Sequence, residues 1–160
     1  MSTTQFRLAT AQDLPGLLAL YQELRPHDPP LSDIRAAQQL QLILQNPLQH
    51  IVVADTNQQL TATAMLVLAH NLAYAGRPFG VIEHVVTAHA FRGQGLAKAV
   101  LQHCLDLAWA ADCAKVMLLS GATRPQAHAL YQSLGFCGDT ERGFVIKAED
   151  LRAQVQNSQK

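Results

Sequence analysis

The sequence lacks the features that would place it in several large protein classes. Its three cysteines, Cys104, Cys113 and Cys137, are odd in number and have no CxxC spacing. Neither a disulfide framework nor a cysteine-based zinc site is therefore indicated, and reduced, mostly buried thiols are expected. Only 15% of the residues are charged, and twelve basic residues balance twelve acidic ones. This balance argues against a general DNA- or RNA-binding role.

Long apolar runs and repeats are also absent. No apolar run approaches the length of a membrane span, and the segment "MSTTQFRLAT" has no apolar signal core. No internal repeat, low-complexity linker or block of like charge interrupts the chain. We therefore expect a cytoplasmic protein without a membrane partner. It should form one domain over residues 1–160, with a polar and frayed tail at about 149–160.

Hydrophobic residues make up 49% of the chain, enough for a substantial core, and their spacing predicts the secondary structure. The predicted elements are a strand at 5–11, helices at 13–25 and 32–46, a hairpin of strands at 50–56 and 60–70, a strand at 81–87, a helix from about Gly95, a strand at 114–120, a helix from Pro125 and a strand at 143–148. Thr10 and Asp13 should cap the first helix, and Gly135 should end the last one. The order β-α-α-β-β-β-α-β-α-β predicts a mixed α/β fold around one sheet. The continuous apolar run at 114–120 is typical of a fully buried strand.

The segment Arg92-Gly93-Gln94-Gly95 lies where the strand at 81–87 gives way to a helix. Glycine permits close approach to the main chain, and the first four N–H groups of a helix have no internal partner. Together with the helix dipole and Arg92, these groups can bind phosphate or pyrophosphate. The segment is neither a GxxxxGK[ST] phosphate loop nor a GxGxxG turn. A glycine-rich turn without a ligand is the alternative.

Two motifs resemble one enzyme family. The segment "RGQGLA" fits the R/Q-x-x-G-x-G/A signature of the acetyl-CoA-dependent GNAT N-acetyltransferases, with Arg92, Gly95 and Ala97 at the defining positions. The segment "ALYQSLGF" is similar to the second hallmark of that family, a tyrosine four residues before Gly-Phe. The resemblance implies a mostly antiparallel sheet flanked by helices, in the order β-α-α-β-β-β-α-β-α-β(-β), and it leaves a homodimer open.

The resemblance also implies a cofactor site. In GNAT proteins the backbone of the glycine turn holds the pyrophosphate of coenzyme A, and the pantetheine arm lies between the strands that match 81–87 and 114–120. Carried onto this sequence, the implied cofactor-binding residues are Val85, Val86, Thr87, Arg92, Gly93, Gln94, Gly95, Leu96, Ala97 and Arg124. The N–H groups near Val85 and Val86 would meet the thioester carbonyl. Arg124 departs from the asparagine that many relatives carry at this position, and no metal is implied.

Two residues are candidates for acid–base catalysis. Tyr131 matches the tyrosine that serves as general acid in many GNAT enzymes, although it could instead pack against cofactor or core. Glu83 falls in a predicted interior strand, where burial would raise the pKa of its carboxyl and suit it to act as a base, directly or through water. The alternative is a glutamate at the open end of the sheet, solvated or salt-bridged. Some glucosamine-phosphate acetyltransferases carry a second acid where this sequence has His84, which weakens the case for that substrate.

The acceptor would lie behind the loops "LRPHDPPLSD" and "NLAYAGRPFG". Asp28 could attract an ammonium group, Arg77 could hold a carboxylate or phosphate, and His84 could contact the acceptor or relay a proton. Each could equally be an ordinary polar residue. The predicted function is transfer of an acetyl group from acetyl-CoA to a primary amine of a small molecule, by direct attack in a ternary complex. A peptide or protein amine as acceptor, or a non-catalytic acyl-CoA sensor, are the alternatives.

Overall fold

The computed structural model describes residues 3–148. The chain divides into two compact units, one ending at Ser120 and the other beginning at Gly121. The strands are β1 (Thr4–Leu8), β2 (Gln49–Thr56), β3 (Gln59–Ala69), β4 (Phe79–Thr87) and β5 (Lys115–Leu118). The helices are α1 (Leu14–Leu24), α2 (Asp33–Gln45), α3 (Leu96–Ala110) and α4 (Pro125–Gln132), with short 3₁₀ turns at Ala11–Asp13, Tyr74–Gly76 and His89–Phe91. All five strands belong to the first unit, and α4 belongs to the second.

The five strands form one sheet in the order β1-β2-β3-β4-β5. Neighbours are antiparallel except for β4 and β5, which run parallel. Asn57 and Gln58, between β2 and β3, both have positive φ (52° and 67°). Two such residues make the turn that matches the twist of a β-hairpin. The predicted hairpin and the predicted mixed, mostly antiparallel α/β fold are therefore confirmed.

The core of the first unit lies on both faces of this sheet. On one face α1 and α2 pack Leu17, Leu20 and Leu40 against Ile51 and Val53 of β2. The alternate β2 residues are also fully buried, and α3 contacts β2, β3 and β4. Because successive strand residues point to opposite faces, α3 covers the second face. Each fully buried leucine contributes about 2 kcal/mol to the free energy of unfolding.

The start of α1 is fixed by a small charge network. The Asp13 carboxylate accepts hydrogen bonds from the Thr10 backbone N–H (2.7 Å) and the Thr10 hydroxyl (3.0 Å), as the predicted cap requires. It also pairs with the Arg7 guanidinium at 2.7 Å, and Arg7 reaches Asp55 of β2 at 2.8 Å. These bonds tie β1, β2 and the start of α1 together. The Arg7 hydrogen bond lowers the pKa of Asp13 to about 2.

The strand predicted at 114–120 is confirmed over Lys115–Leu118, but its predicted full burial is wrong, since Met117 is 38% exposed. Among the described residues β5 pairs with β4 alone, so its apolar residues are not enclosed as those of a central strand would be. The predicted last strand at 143–148 does not form within the described residues, and Phe144 and Ile146 are exposed there. β-Branched residues favour a strand only where a neighbouring strand pairs with them. The predicted tail at 149–160 lies outside the described residues, and the single domain stays a prediction.

Candidate active site

The sheet opens between β4 and β5. The two strands pair from Phe79 opposite Lys115 to Ile82 opposite Leu118, whereas β4 continues to Thr87. Residues 83–87 therefore have no strand on their β5 side in the described sheet. Two buried hydroxyl oxygens near this opening, Thr87 Oγ1 and Ser120 Oγ, have no hydrogen-bond partner among the described residues. Because buried polar groups are normally satisfied, these two hydroxyls are suited to a polar ligand.

The glycine turn follows β4 and leads into α3. Gly93 and Gly95 have φ of 76° and 77°, a conformation that residues with a side chain rarely adopt. A Cβ atom at either position would meet no atom within 4 Å, so the turn faces open space. Gly95 is the N-cap of α3 and supplies no side-chain hydrogen bond to the helix. The first N–H groups of α3 are therefore available to an anion, and the predicted pyrophosphate fits the residues present.

The flanking residues of the turn have distinct surroundings. Leu96 is buried in the core, so only its backbone can serve a ligand, while Gln94 is exposed and Ala97 is half-buried. The Arg92 side chain is exposed, and its Nε donates to the Thr87 carbonyl at 3.3 Å. Its Nη2 lies 3.2 Å from Nε2 of His89. The Arg92 guanidinium thus lies folded back on the end of β4, beside the turn.

A β-bulge interrupts β4 within the open stretch. Thr63 pairs with Val86 and Met65 pairs with Glu83, so β4 has one more residue than β3 between these pairs. His84 lies in this bulge and has φ of 54°. Such a backbone angle is uncommon for a non-glycine residue and concentrates at functional sites. A bulge of this kind bends the strand and redirects the side chains next to it.

Glu83 is exposed, so the expected burial of its carboxylate is wrong. The reason is that residue 83 lies beyond the last β5 pair, where the sheet is open. Its partner Met65 packs against the core cluster of α1 and α2, and paired residues share a face of the sheet. Glu83 therefore lies on the α1 side. Of the two alternatives, the structure favours the solvated glutamate at the open end.

His84 also contacts α1. Its ring meets that of Tyr21 in α1, with 5.5 Å between ring centroids and an interplanar angle of 62°. Burial raises the pKa of Tyr21 to about 12, so its phenol stays protonated. Asp28, beyond the end of α1, pairs with Arg25. That bond lowers the pKa of Asp28, with a smaller electrostatic contribution from His84.

Arg77 has other partners than the predicted acceptor. Its Nε donates to both the carbonyl and the carboxylate of Asp112 at 3.1 Å, and its Nη2 donates to the Cys113 carbonyl at 3.0 Å. These bonds join the loop before β4 to the turn before β5. The contacts favour a structural role, and a role in acceptor binding stays a prediction.

Two predicted site residues belong to the second unit. Tyr131, in α4, is buried, and its ring meets that of Phe136 edge-on at 6.2 Å between centroids. Gly135 has φ of 92° and follows α4, and Pro125 begins that helix, both as predicted. Arg124 is the N-cap residue of α4 and is exposed. The catalytic role of Tyr131 and the cofactor role of Arg124 stay predictions.

Three residues with informative surroundings in the structure carry no functional signal in the sequence: Tyr21, Glu23 and Ser120. Tyr21 fitted the apolar face of the first helix and gave no sign of its contact with His84. Glu23 accepts a hydrogen bond from the His89 backbone 66 residues away, which no local pattern predicts. Only the structure shows that the Ser120 hydroxyl has no hydrogen-bond partner within residues 3–148.

The chain also matches known proteins. The sequence model described as Acetyltransferase (GNAT) family matches residues 15–136, more than half of the chain. The chain belongs to the GNAT acetyltransferase family. A search among curated proteins finds no significant match.

Solved structures agree with this assignment to the GNAT family. A proposed acetyltransferase from Agrobacterium tumefaciens str. C58 is 43% identical, with a TM-score of 0.85, and the match covers 89% of this chain and 99% of that one. Glucosamine-6-phosphate N-acetyltransferase from Arabidopsis thaliana is 20% identical, with a TM-score of 0.80 and coverage of 90% and 98%. The aminoglycoside N-acetyltransferase AAC(6')-Iy, solved with CoA, is 19% identical, with a TM-score of 0.77 and coverage of 92% and 97%. The last two show likeness of fold.

The prediction of a GNAT N-acetyltransferase is therefore confirmed at the level of family and reaction class. Within residues 3–148, no helix has the length and apolar character needed to cross a membrane. The same part of the chain contains no group of three or more His, Cys, Asp or Glu side chains arranged to hold a metal ion.

Proposed function

We propose that this GNAT protein transfers the acetyl group of acetyl-CoA to a primary amine of a small molecule, by direct attack of the amine in a ternary complex. The observation that carries the proposal is the position of the bulge. It lies in the part of β4 that β5 leaves open, before the glycine turn in sequence, and Glu83 beside it lies on the α1 side of the sheet. A donor at the turn and an acceptor on the α1 side would thus meet at Glu83 and His84.

On the donor side, coenzyme A would be held mainly by the backbone. The N–H groups of Gln94, Gly95 and Leu96, at the start of α3, suit its pyrophosphate, and Arg92 adds positive charge. The open edge of β4 at Val85 and Val86 would offer unpaired backbone groups to the acyl end, and the buried Thr87 hydroxyl would offer one more. Acetyl-CoA supplies an activated acyl group, so the chain has to orient it and exclude water.

On the acceptor side, the reaction requires a deprotonated amine. Its nitrogen bonds to the acetyl carbon while the carbon–sulfur bond breaks, so one proton leaves nitrogen and the departing thiolate takes up a proton. We assign the first transfer to Glu83, directly or through water, on the basis of its position beside the bulge. Tyr131 would supply the proton to sulfur, as the family motif implies. His84, fixed against Tyr21, would orient the amine, with Asp28 adding negative charge nearby.

A small amine is supported by the contact of His84 with Tyr21 of α1 and by the electrostatic effect of His84 on Asp28, just beyond that helix. The aminoglycoside acetyltransferase among the structural neighbours acts on a small-molecule amine, as its name states. A peptide or protein amine is the second candidate acceptor and would need a longer groove.

The test is release of free thiol from acetyl-CoA with a panel of small amines and peptides, each with an acceptor-free blank. We expect one class of small amine to react and Glu83→Gln to lower kcat about 100-fold, the usual value of a general base. Tyr131→Phe should also lower kcat. Asp106→Asn, an exposed carboxylate on α3, is the matched control and should change nothing.

Three results would contradict the proposal. Reaction with peptides alone would replace the small amine by the second candidate. No reaction with any acceptor, while coenzyme A still raises the melting temperature, would identify a sensor. Full activity of Glu83→Gln would remove Glu83 as the base.

A further inference from the structure

A side chain of α1 contacts the segment that leads into the glycine turn. Oε2 of Glu23 accepts a hydrogen bond from the backbone N–H of His89 at 2.8 Å. His89 is the first residue of the 3₁₀ turn His89–Phe91, and the first N–H groups of a helical turn have no partner within it. Glu23 therefore caps this turn from a helix 66 residues away in sequence.

The same turn holds Arg92. The N–H group of Arg92 donates to the His89 carbonyl at 3.4 Å, and its Nη2 contacts Nε2 of His89 at 3.2 Å. Because a guanidinium only donates, Nε2 of His89 is the acceptor in this contact. The direction of the Arg92 side chain thus depends on where His89 is held.

The glycine turn has little other support at this end. Gly93, Gln94 and Gly95 are exposed. A Cβ atom added at either glycine would meet no described atom within 4 Å, so no neighbouring side chain packs against the turn there. The turn is therefore fixed by what lies on either side of it. On one side is the N-terminus of α3, anchored by buried Leu96; on the other is the segment from His89 to Arg92.

We infer that Glu23 is a positioning residue for the pyrophosphate of acetyl-CoA. By holding the His89 N–H, it keeps Arg92 and the glycine turn in the arrangement that receives the phosphates, so that less ordering is needed on binding. The inference rests on the proposed function, because it assumes coenzyme A at this turn. The carboxylate acts through its oxygen as an acceptor, while its negative charge opposes phosphate binding. An amide oxygen at the same place should therefore serve as well or better.

The experiment compares Glu23→Ala and Glu23→Gln with the wild type. Binding of coenzyme A is measured by calorimetry, and binding of S-acetylpantetheine, which has no pyrophosphate, by NMR titration. Glu23→Ala should weaken coenzyme A binding about five- to tenfold, the effect of one hydrogen bond, and leave S-acetylpantetheine binding unchanged. Glu23→Gln should bind coenzyme A as tightly as the wild type or more tightly. Gln22→Ala, an exposed neighbour on α1, is the matched control and should match the wild type.

Hydrogen exchange at the His89 amide provides a second readout that needs no ligand. It should be faster in Glu23→Ala than in the wild type and slow again in Glu23→Gln. Unchanged coenzyme A affinity in Glu23→Ala would overturn the inference. So would equal losses for both ligands, or a Glu23→Gln protein as weak as Glu23→Ala. If the wild type itself does not bind coenzyme A, the cofactor site of the proposed function fails as well, and that result is distinct from the others.

Discussion

The imidazole of His84 rests edge-on against the ring of Tyr21, with 5.5 Å between the two centroids. His84 is the bulged residue of β4 with φ of 54°, and Tyr21 belongs to α1 and is mostly buried. Burial raises the pKa of the Tyr21 phenol, and the nearby Thr63 side chain of β3 opposes this effect in part. The bulge is therefore held by a helix as well as by its neighbouring strand. A side chain with an unusual backbone angle needs such surrounding contacts to persist.

Removing the ring of Tyr21 should release His84. We expect Tyr21→Leu to raise the acceptor KM several-fold, because His84 would no longer be held toward the acceptor, and to leave coenzyme A affinity unchanged. Tyr21→Phe retains the aromatic contact and loses only the hydroxyl, so its acceptor KM should stay near that of the wild type. Its free energy of unfolding should change by less than about 1 kcal/mol. Acceptor kinetics and urea unfolding measure the two effects, and equal acceptor KM in both variants would contradict the role assigned to the ring.

The Arg7–Asp13 pair should make stability depend on acid pH. Asp13 has a pKa near 2 in the folded protein against 3.8 when unperturbed. A lowered folded-state pKa stabilises the protein fully above the unfolded value, and the contribution is lost as pH falls from about 4 to 2. The shift corresponds to about 2 kcal/mol, since Asp13 is only 8% exposed. Arg7 remains charged throughout this range.

Urea unfolding at several pH values between 6 and 2 measures this contribution. Asp13→Asn should be less stable at neutral pH and should have a flatter pH profile below pH 4. Asp106→Asn serves as the exposed control and should follow the wild-type profile. An unchanged profile in Asp13→Asn would show that the pair does not contribute as expected.

Local signals in the sequence predicted most of the fold. Helix ends are set by residues close to them in sequence, so they can be predicted from short segments. Examples are the Thr10–Asp13 cap, Pro125 at the start of α4 and Gly135 after its end. The burial predicted for the run at 114–120 was wrong because a strand's burial depends on its neighbours in the sheet. In the described sheet β5 lies at the edge, and an apolar run alone does not show this.

The candidate site likewise has local features, which the sequence predicts, and features that depend on distant segments, which it does not. The glycine turn is a local feature, and the positive φ angles at Gly93 and Gly95 are ones that glycine readily adopts. The sequence does not predict the bulge at His84, because a bulge can be recognised only when the register of β3 and β4 is known. The exposure of Glu83 follows from the same register, since it depends on where pairing with β5 ends. Contacts of α1 with His84 and His89 join segments distant in sequence.

Gly95 should be required for its backbone conformation. With φ of 77° and open space around it, an added side chain costs only backbone strain, about 1–2 kcal/mol. We expect Gly95→Ala to weaken coenzyme A binding by about tenfold as the turn shifts toward a relaxed angle. Gly95→Asn should lose less, because asparagine tolerates this conformation. Gly138→Ala, at a glycine without positive φ, is the control; calorimetric titration with coenzyme A compares all three, and equal affinity in Gly95→Ala would contradict the prediction.

Substitution of Arg77 can distinguish the structural role that its contacts indicate from the acceptor-binding role that the sequence suggested. Its guanidinium donates to Asp112 and to the Cys113 carbonyl, and its side chain is 45% exposed. We expect Arg77→Ala to lower the free energy of unfolding by about 1 kcal/mol through these bonds and to leave the acceptor KM unchanged. Asp112→Asn, which tolerates the positive φ of 56° at this residue, removes only the charge.

Urea unfolding of both single variants and of the double variant measures how far the two side chains are coupled. We expect a coupling below about 1 kcal/mol, since the pair is partly exposed and two of the Arg77 bonds go to backbone carbonyls. An acceptor KM that rises tenfold in Arg77→Ala, with unfolding unchanged, would instead show that the guanidinium leaves Asp112 to bind an anionic group of the acceptor. In that case the acceptor would carry a carboxylate or phosphate as well as its amine, because a guanidinium pairs with those groups through two parallel hydrogen bonds.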